Sequence, residues 1–129
     1  MDKPLKIGIA GLGTVGAGVV EVLAKHGEMI TARAGRPITV TAVSARDRTR
    51  DRGFSVADFQ WCDDPRGLAQ LDDVDVVCEL IGGEDGVAKE LVEAALSAGK
   101  HVVTANKALL AHHGTALAKQ ADGAGMALA

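Results

Sequence analysis

The length, composition and charge of the chain limit what it can be. It has 129 residues, 47% of them hydrophobic, which is enough apolar material for one globular domain with a buried core. A net charge of −3, with two Phe, one Trp and no Tyr, argues against a nucleic-acid partner, because such partners need a basic face or stacking platforms. The two cysteines are far apart, and no apolar stretch is long enough to span a membrane, so we expect a soluble protein of the reducing cytoplasm.

The first third of the chain predicts a strand, a helix and a second strand. Leu5–Ala10 is a short apolar run before a glycine, which is typical of a buried parallel strand. Helical spacing of apolar residues follows over residues 14–26, and we expect Gly27 to end that helix. Residues 28–37 are polar and predict a loop, whereas the β-branched stretch 38–43 predicts the second strand.

The middle of the chain is less regular. Residues 44–53 are charged and have no period, so they predict a loop. A short strand is expected at residues 59–62 and a short helix at 66–71. Residues 74–81 are apolar and end before two glycines, which predicts a further buried strand.

The last third predicts two more helices around one strand. A helix is expected over residues 84–98, a strand at His101–Thr104, and a helix over 105–121 with a bend at His113 and Gly114. The apolar residues 126–129 resemble the beginning of another strand. Because a domain rarely ends inside a buried strand, we expect residues 1–129 to be one domain of a longer protein.

The alternation of strands and helices predicts an α/β fold of the Rossmann type, a doubly wound and mostly parallel sheet with helices on both faces. In such folds a glycine pattern between the first strand and helix binds the pyrophosphate of a dinucleotide. Gly11 permits the tight turn, Gly13 lets a phosphate approach the backbone, and Gly16 lets the helix pack closely. Glycine-rich turns also occur by chance in a chain with 16 glycines, but this one lies between a strand and a helix. The predicted cofactor-binding residues here are Gly11, Leu12, Gly13, Thr14, Val15 and Gly16.

The end of the second predicted strand favours NADP over NAD. NAD sites usually place an acidic residue there to bind the ribose hydroxyls, but here Ser44 and Arg46 come first and an acid appears only at Asp47. An arginine suits the 2′-phosphate of NADP because its guanidinium can bind phosphate in a bidentate manner. The alternative is a plain solvated loop, which is our expectation for Arg50 and Arg52.

Two further segments lie at the carboxyl ends of predicted strands, where ligands bind in open α/β sheets. Ile81 and Gly82 belong to a double-glycine turn. Such a turn allows close passage of the nicotinamide and its ribose. The alternative is a simple connection from strand to helix. Lys107 follows the next strand, where its ammonium could bind a ribose hydroxyl or polarise a carbonyl. By position alone, Lys107 is as well explained as a surface lysine.

No metal site is expected from the sequence. His112 and His113 are adjacent on a predicted helix and therefore face different ways. Cys78 lies within an apolar strand and is most simply a buried small hydrophobic residue.

Three motifs together resemble homoserine dehydrogenase. They are Gly11-Leu12-Gly13-Thr14-Val15-Gly16, Glu79-Leu80-Ile81-Gly82-Gly83, and Gly99-Lys100-His101-Val102-Val103-Thr104-Ala105-Asn106-Lys107-Ala108-Leu109-Leu110. The last motif is the most distinctive, and the resemblance runs from about Lys6 to the end of the chain. It departs from the family pattern at residues 84–86, where a proline is usual.

The resemblance implies reduction of aspartate 4-semialdehyde to homoserine with NADPH or NADH, in threonine and methionine biosynthesis. It implies that Arg46 binds the 2′-phosphate, that Ile81 and Gly82 lie on the nicotinamide side, and that Lys107 is catalytic, close to nicotinamide and substrate. Thr104 and Ala105 would line the same edge. The family's substrate-binding and dimer-forming domain has no counterpart in these 129 residues, so we expect this chain alone to be inactive.

Two other functions stay open at this point. Another dehydrogenase of amino-acid biosynthesis would share the fold and the glycine turn, although the motif around Lys107 argues against it. A stand-alone dinucleotide-binding module that senses redox cofactor without catalysis would need no second domain.

Overall fold

Five parallel strands form one sheet in the computed structural model, which describes residues 3–83 and 86–129. The strands are β1 (Leu5–Ala10), β2 (Ile38–Ser44), β3 (Gln60–Trp61), β4 (Val76–Glu79) and β5 (His101–Thr104). Their order across the sheet is β3-β2-β1-β4-β5, and every pair is parallel. The chain therefore builds outward from β1 in one direction and then in the other, which confirms the predicted doubly wound Rossmann-type fold.

Helices cover both faces of this sheet. They are α1 (Thr14–Ala34), α2 (Val87–Ser97) and α3 (Lys107–Ala124), with short 3-10 helices at Val56–Asp58 and Pro65–Gln70. Successive strand residues point to opposite faces, so Ala42 joins one core and Val43 the other. The core on the α2 and α3 side is fully enclosed, and its largest side chains are Leu68, Leu91, Leu96, Leu109 and Leu117. The core under α1 is smaller and includes Ile7, Ile9, Leu12, Val20 and Val43.

Helix α1 is longer than the sequence pattern indicates. His26 has non-helical angles (φ −120°, ψ 22°), but the helix resumes and continues to Ala34. The predicted end at Gly27 is therefore wrong, and the predicted loop at 28–37 is confirmed only for residues 35–37, because residues 28–34 are helical. A glycine inside a helix costs only about 1 kcal/mol, whereas a helix end of this type needs a left-handed residue. Gly35 is that residue, with φ 80° and its N–H donating to the carbonyl of Thr31.

Helix α3 is also more regular than predicted. It runs without interruption through His113 and Gly114, so the expected bend is absent. It begins at Lys107, two residues later than predicted, because the Asn106 side chain accepts a hydrogen bond from the N–H of Leu109 and caps the helix. The predicted start of the preceding helix, Glu84, lies outside the described residues.

The remaining elements are close to expectation with shifted limits. Strand β4 is shorter than the predicted 74–81, and the predicted short strand and helix correspond to β3 and the turn Pro65–Gln70. Residues 126–129 lie beside β5 in parallel, and the N–H of Ala129 donates to the carbonyl of Val102 at 2.9 Å. None of the helices described is long and apolar enough to cross a membrane.

Candidate dinucleotide site

The glycine turn, residues 11–16, is shaped by two contacts that exclude side chains. Gly11 has φ +98°, and a Cβ on it would lie 2.7 Å from the carbonyl oxygen of Leu80. A Cβ on Gly16 would lie 1.8 Å from the carbonyl oxygen of Gly11. The first turn of α1 therefore packs directly on the turn that precedes it, at a distance that only glycine allows.

The outer side of the glycine turn is open. A Cβ on Gly13 would meet no atom within 4 Å, and Thr14 and Val15 are exposed. Gly13 is the N-cap of α1, and no side chain caps the helix there. The first amides of a helix have no partner within the helix and carry its positive dipole end, so this turn presents donors to an anion. Leu12 differs from its neighbours, because its side chain is buried in the core under α1.

A cleft of about 640 Å³ opens beside this turn. Its lining comes from the glycine turn, from the loop after β2, and from Leu80 and Ile81 of the β4 turn, which we define as residues 80–83. Asp63, Pro65 and Val87, the first residue of α2, complete it. A larger hollow of about 890 Å³ lies along the kinked part of α1, but its lining includes none of the predicted site residues. The cleft at the carboxyl ends of β1, β2 and β4 is therefore the candidate site.

The loop after β2 brings three arginines to the cleft. Arg46, Arg50 and Arg52 line it together with Asp47 and Asp63. Arg52 is half-buried, and its Nε is enclosed without a hydrogen-bond partner among the described residues. Its Nη1 and Nη2 donate to the carbonyls of Arg50 and Asp47 in the same loop. Arg50 is exposed, as a solvated loop predicts, whereas Arg52 is more enclosed than that expectation.

Ser44 and Asp47 differ in how their oxygens are used. The Ser44 side chain is buried at the cleft, and its Oγ has no partner among the described residues. Asp47 Oδ1 accepts hydrogen bonds from the N–H (2.9 Å) and hydroxyl (2.7 Å) of Thr49. These bonds hold the pKa of the Asp47 carboxyl below its usual value. One oxygen of the first acid after β2 is thus bonded within its own loop, while the serine hydroxyl is buried without a hydrogen-bond partner among the described residues.

Arg48 is separate from this group. Its guanidinium lies 5.7 Å from the centre of the Trp61 ring, in a cation–π contact, and it does not line the cleft. It therefore provides a natural comparison for the three arginines that do.

The β4 turn is held by a buried carboxylate that the sequence analysis did not assign. Glu79, the last residue of β4, is completely buried. Its Oε2 accepts hydrogen bonds from the N–H groups of Ile81 (2.8 Å) and Gly82 (3.1 Å). Its Oε1 accepts one from the hydroxyl of Thr104 (2.7 Å). An acid inside the apolar stretch 74–81 is the signal that could have revealed it.

Asn106 connects the β4 turn to β5 and α3. Its N–H donates to Thr104 Oγ1 at 3.0 Å, and its side-chain amide donates to the carbonyl of Gly83. The same side chain caps α3, as described above. The ends of β4, β5 and α3 are therefore joined by one set of buried polar groups.

Thr104, Ala105 and Lys107 lie beside the cleft rather than in its lining. Thr104 is buried and bonded to Glu79, and Ala105 donates its N–H to the carbonyl of Glu79 at 3.2 Å. Lys107 is the first residue of α3 and is exposed. Gly82 likewise does not line the cleft, although its neighbour Ile81 does.

The comparisons with known proteins bear on this site directly. Residues 11–129 match the family model described as the NAD-binding domain of homoserine dehydrogenase. The chain belongs to the homoserine dehydrogenase family. It is 45% identical to the homoserine dehydrogenase of Pseudomonas aeruginosa over 129 residues, and 46% identical to that of Methylobacillus glycogenes over 109 residues. Those alignments cover 98% and 84% of this chain but only 29% and 26% of the relatives, so the chain spans less than a third of their length.

Solved structures agree with the sequence relatives. The homoserine dehydrogenase from Thiobacillus denitrificans matches with a TM-score of 0.89 and 39% identity, over 98% of this chain and 29% of that one. The S. aureus homoserine dehydrogenase at pH 7.5 matches with a TM-score of 0.86 and 32% identity, over 98% and 32%. The chain is thus the NAD-binding domain of this family, and the family model supports a nicotinamide dinucleotide as its cofactor.

Other reactive groups lie away from the cleft. Burial raises the pKa of the Cys78 thiol to about 11, and burial also raises the pKa of Cys62. Both cysteines are free thiols. Within residues 3–83 and 86–129, no cluster of three His, Cys, Asp or Glu side chains could hold a metal ion.

Proposed function

We propose that this chain is the cofactor-binding part of an enzyme that reduces aspartate 4-semialdehyde to homoserine with NADPH or NADH, a step of threonine and methionine biosynthesis. The open amides of the glycine turn bind the pyrophosphate, and the β4 turn lies on the nicotinamide side. The groups that bind the substrate and form a homodimer belong to a part of the protein beyond these 129 residues. The family membership and the cleft geometry support this proposal.

NADP is the preferred cofactor in this proposal. Arg52 bonds to the carbonyls of Arg50 and Asp47 within the loop after β2. The observation that carries the preference is that Arg46 and Arg50 are exposed in the lining of the cleft beside it. A 2′-phosphate brings negative charge and acceptor oxygens to these donors, whereas the 2′-hydroxyl of NAD brings neither charge nor a bidentate acceptor. Asp47 also lines the cleft, and its Oδ1 is bonded to the N–H and hydroxyl of Thr49 in its own loop.

The preference is tested by the substitution Arg46→Ala. We expect the dissociation constant for NADPH to rise about 10-fold or more, because a hydrogen bond between charged groups contributes roughly 1.5–3 kcal/mol. The dissociation constant for NADH should change little. Fluorescence titration of both cofactors measures the two constants on the same protein.

Arg48→Ala is the matched control, because it removes an arginine from the same loop that packs on Trp61 rather than lining the cleft. It should leave both dissociation constants unchanged. Equal small effects of Arg46→Ala on NADPH and NADH would refute the assignment of Arg46 to the 2′-phosphate.

Lys107 is the proposed catalytic residue, with its ammonium directed to the carbonyl oxygen of the aldehyde or to the nicotinamide ribose. A cation at the first position of a helix is disfavoured by the helix dipole, by roughly 0.3–1 kcal/mol, so Lys107 does not serve the stability of α3. Thr104 and Ala105 complete this edge beside it. We expect the chain alone to bind cofactor with negligible oxidation of homoserine, and robust turnover would contradict the proposal that the substrate groups lie elsewhere.

A further inference from the structure

Glu79 is the one acidic side chain in the sheet strands of the described residues, and it is completely buried. Burying a carboxylate is unfavourable unless hydrogen bonds replace its hydration. Here three donors do so: the amides of Ile81 and Gly82 on one oxygen and the hydroxyl of Thr104 on the other. The arrangement therefore has a purpose that an apolar residue at the end of β4 would not serve.

Three groups donate hydrogen bonds to the two oxygens of Glu79. The N–H groups of Ile81 and Gly82 can only donate. Thr104 Oγ1 accepts from the N–H of Asn106, which leaves its own proton available for Glu79 Oε1.

This arrangement distinguishes the β4 turn from the glycine turn. The amides that begin α1 face an open cleft, whereas the amides of Ile81 and Gly82 are turned inward and occupied by Glu79. With the amides of Ile81 and Gly82 occupied, the β4 turn cannot offer them to a phosphate in the manner of a helix N-terminus. A ligand at the β4 turn meets the exposed Ile81 side chain and backbone acceptors, which suit an aromatic ring, an amide or hydroxyl groups.

We propose that Glu79 is a positioning residue that directs the two ends of the cofactor. Its carboxylate occupies the amides of the β4 turn, so that this turn accepts the nicotinamide and its ribose while the phosphates are confined to the glycine turn. Glu79 does not itself contact the cofactor. This inference rests on the proposed function, since it requires a nicotinamide dinucleotide in the cleft.

The test compares two ligands on Glu79→Gln. NADPH contains both ends of the cofactor, whereas 2′,5′-ADP lacks the nicotinamide and its ribose. Glutamine has the same length, but its NH2 group replaces one carboxylate oxygen and the negative charge is lost, so the proton that Thr104 gives to Glu79 loses its acceptor. We expect the dissociation constant for NADPH to rise about 10-fold, and that for 2′,5′-ADP to stay within about 2-fold of wild type.

Two other variants complete the design. Glu93→Gln neutralises a partly exposed carboxylate on α2 and should change neither constant. Thr104→Val removes the hydroxyl, which donates to Glu79 and accepts from the N–H of Asn106, but leaves the carboxylate and the amide pair. It should weaken NADPH binding about 3-fold and leave 2′,5′-ADP binding unchanged. If Glu79→Gln does not fold, the Thr104→Val result decides the question alone.

The outcomes separate the inference from the proposed function. Unchanged NADPH binding by Glu79→Gln, or an equal loss for both ligands, would overturn the role of Glu79 while leaving dinucleotide binding in place. Failure of the wild-type chain to bind either ligand would overturn the proposed function and this inference with it.

Discussion

The glycine turn and the β4 turn both lie at the carboxyl edge of the sheet, but they direct their backbone amides differently. The glycine turn depends on missing side chains, because a Cβ at Gly16 would come within 1.8 Å of a carbonyl oxygen. The β4 turn depends on a side chain that is present, the buried carboxylate of Glu79. In the first turn the amides face outward, and in the second they face the protein. At the carboxyl edge of the sheet, the glycine turn is therefore suited to anions and the β4 turn to neutral polar groups.

The largest expected effect comes from adding a side chain inside the glycine turn. Gly16→Ala must displace the backbone of Gly11, so we expect it to destabilise the protein by about 3 kcal/mol, near the upper end for overpacking. It should also weaken NADPH binding by at least about 10-fold, since the amides of α1 move with the turn. Urea unfolding and fluorescence titration measure the two effects.

Gly18→Ala is the control for that substitution. It lies two residues further along the same helix, where a Cβ would meet no atom within 4 Å. Alanine is the better helix former by about 1 kcal/mol, so stability should rise slightly. If both variants destabilise the protein equally, the close contact at Gly16 is not what shapes the turn.

The smallest expected effect concerns the reactivity of Cys78 in β4, the strand that precedes the β4 turn. Because burial raises the pKa of Cys78 to about 11, only about one thiol in a thousand is ionised at pH 8. The thiolate fraction rises as pH approaches that pKa, so iodoacetamide should modify Cys78 slowly at pH 8 and faster as the pH is raised. Cys62, which is less buried, should react first.

Mass spectrometry of the alkylated peptides resolves the two sites. A rate at Cys78 equal to or above that at Cys62 would show that β4 opens readily. Such a result would contradict a closed strand beneath the Glu79 carboxylate.

The fold and the first turn were accessible from the sequence because local rules determine them. Alternating apolar segments specify the parallel strands, and Gly11 and Gly16 meet a geometric need that no other residue meets. The role of Gly13 stays a prediction, because it depends on a bound phosphate. The error at Gly27 has the same origin, since local pattern cannot show which glycine adopts φ > 0. Gly35 does so and Gly27 does not.

The β4 turn and the loop after β2 were harder to predict from the sequence, because their structure depends on contacts between distant segments. Glu79 and Thr104 are 25 residues apart and meet only because β4 and β5 are neighbours in the sheet. Arginines and aspartates alternate in residues 46–52, which predicts a solvated loop around Arg52. Its enclosure at the cleft follows from the fold of the loop after β2, which has no periodic signal.

The division of the edge into two ends is tested most directly by an NMR titration of the ¹⁵N-labelled chain with NADPH and with 2′,5′-ADP. We expect the amide signals of Gly13 to Gly16 to shift with both ligands. The signals of Ile81 and Gly82 should shift with NADPH alone. Shifts at Ile81 and Gly82 with 2′,5′-ADP, or unchanged glycine-turn amides at saturating NADPH, would contradict the account.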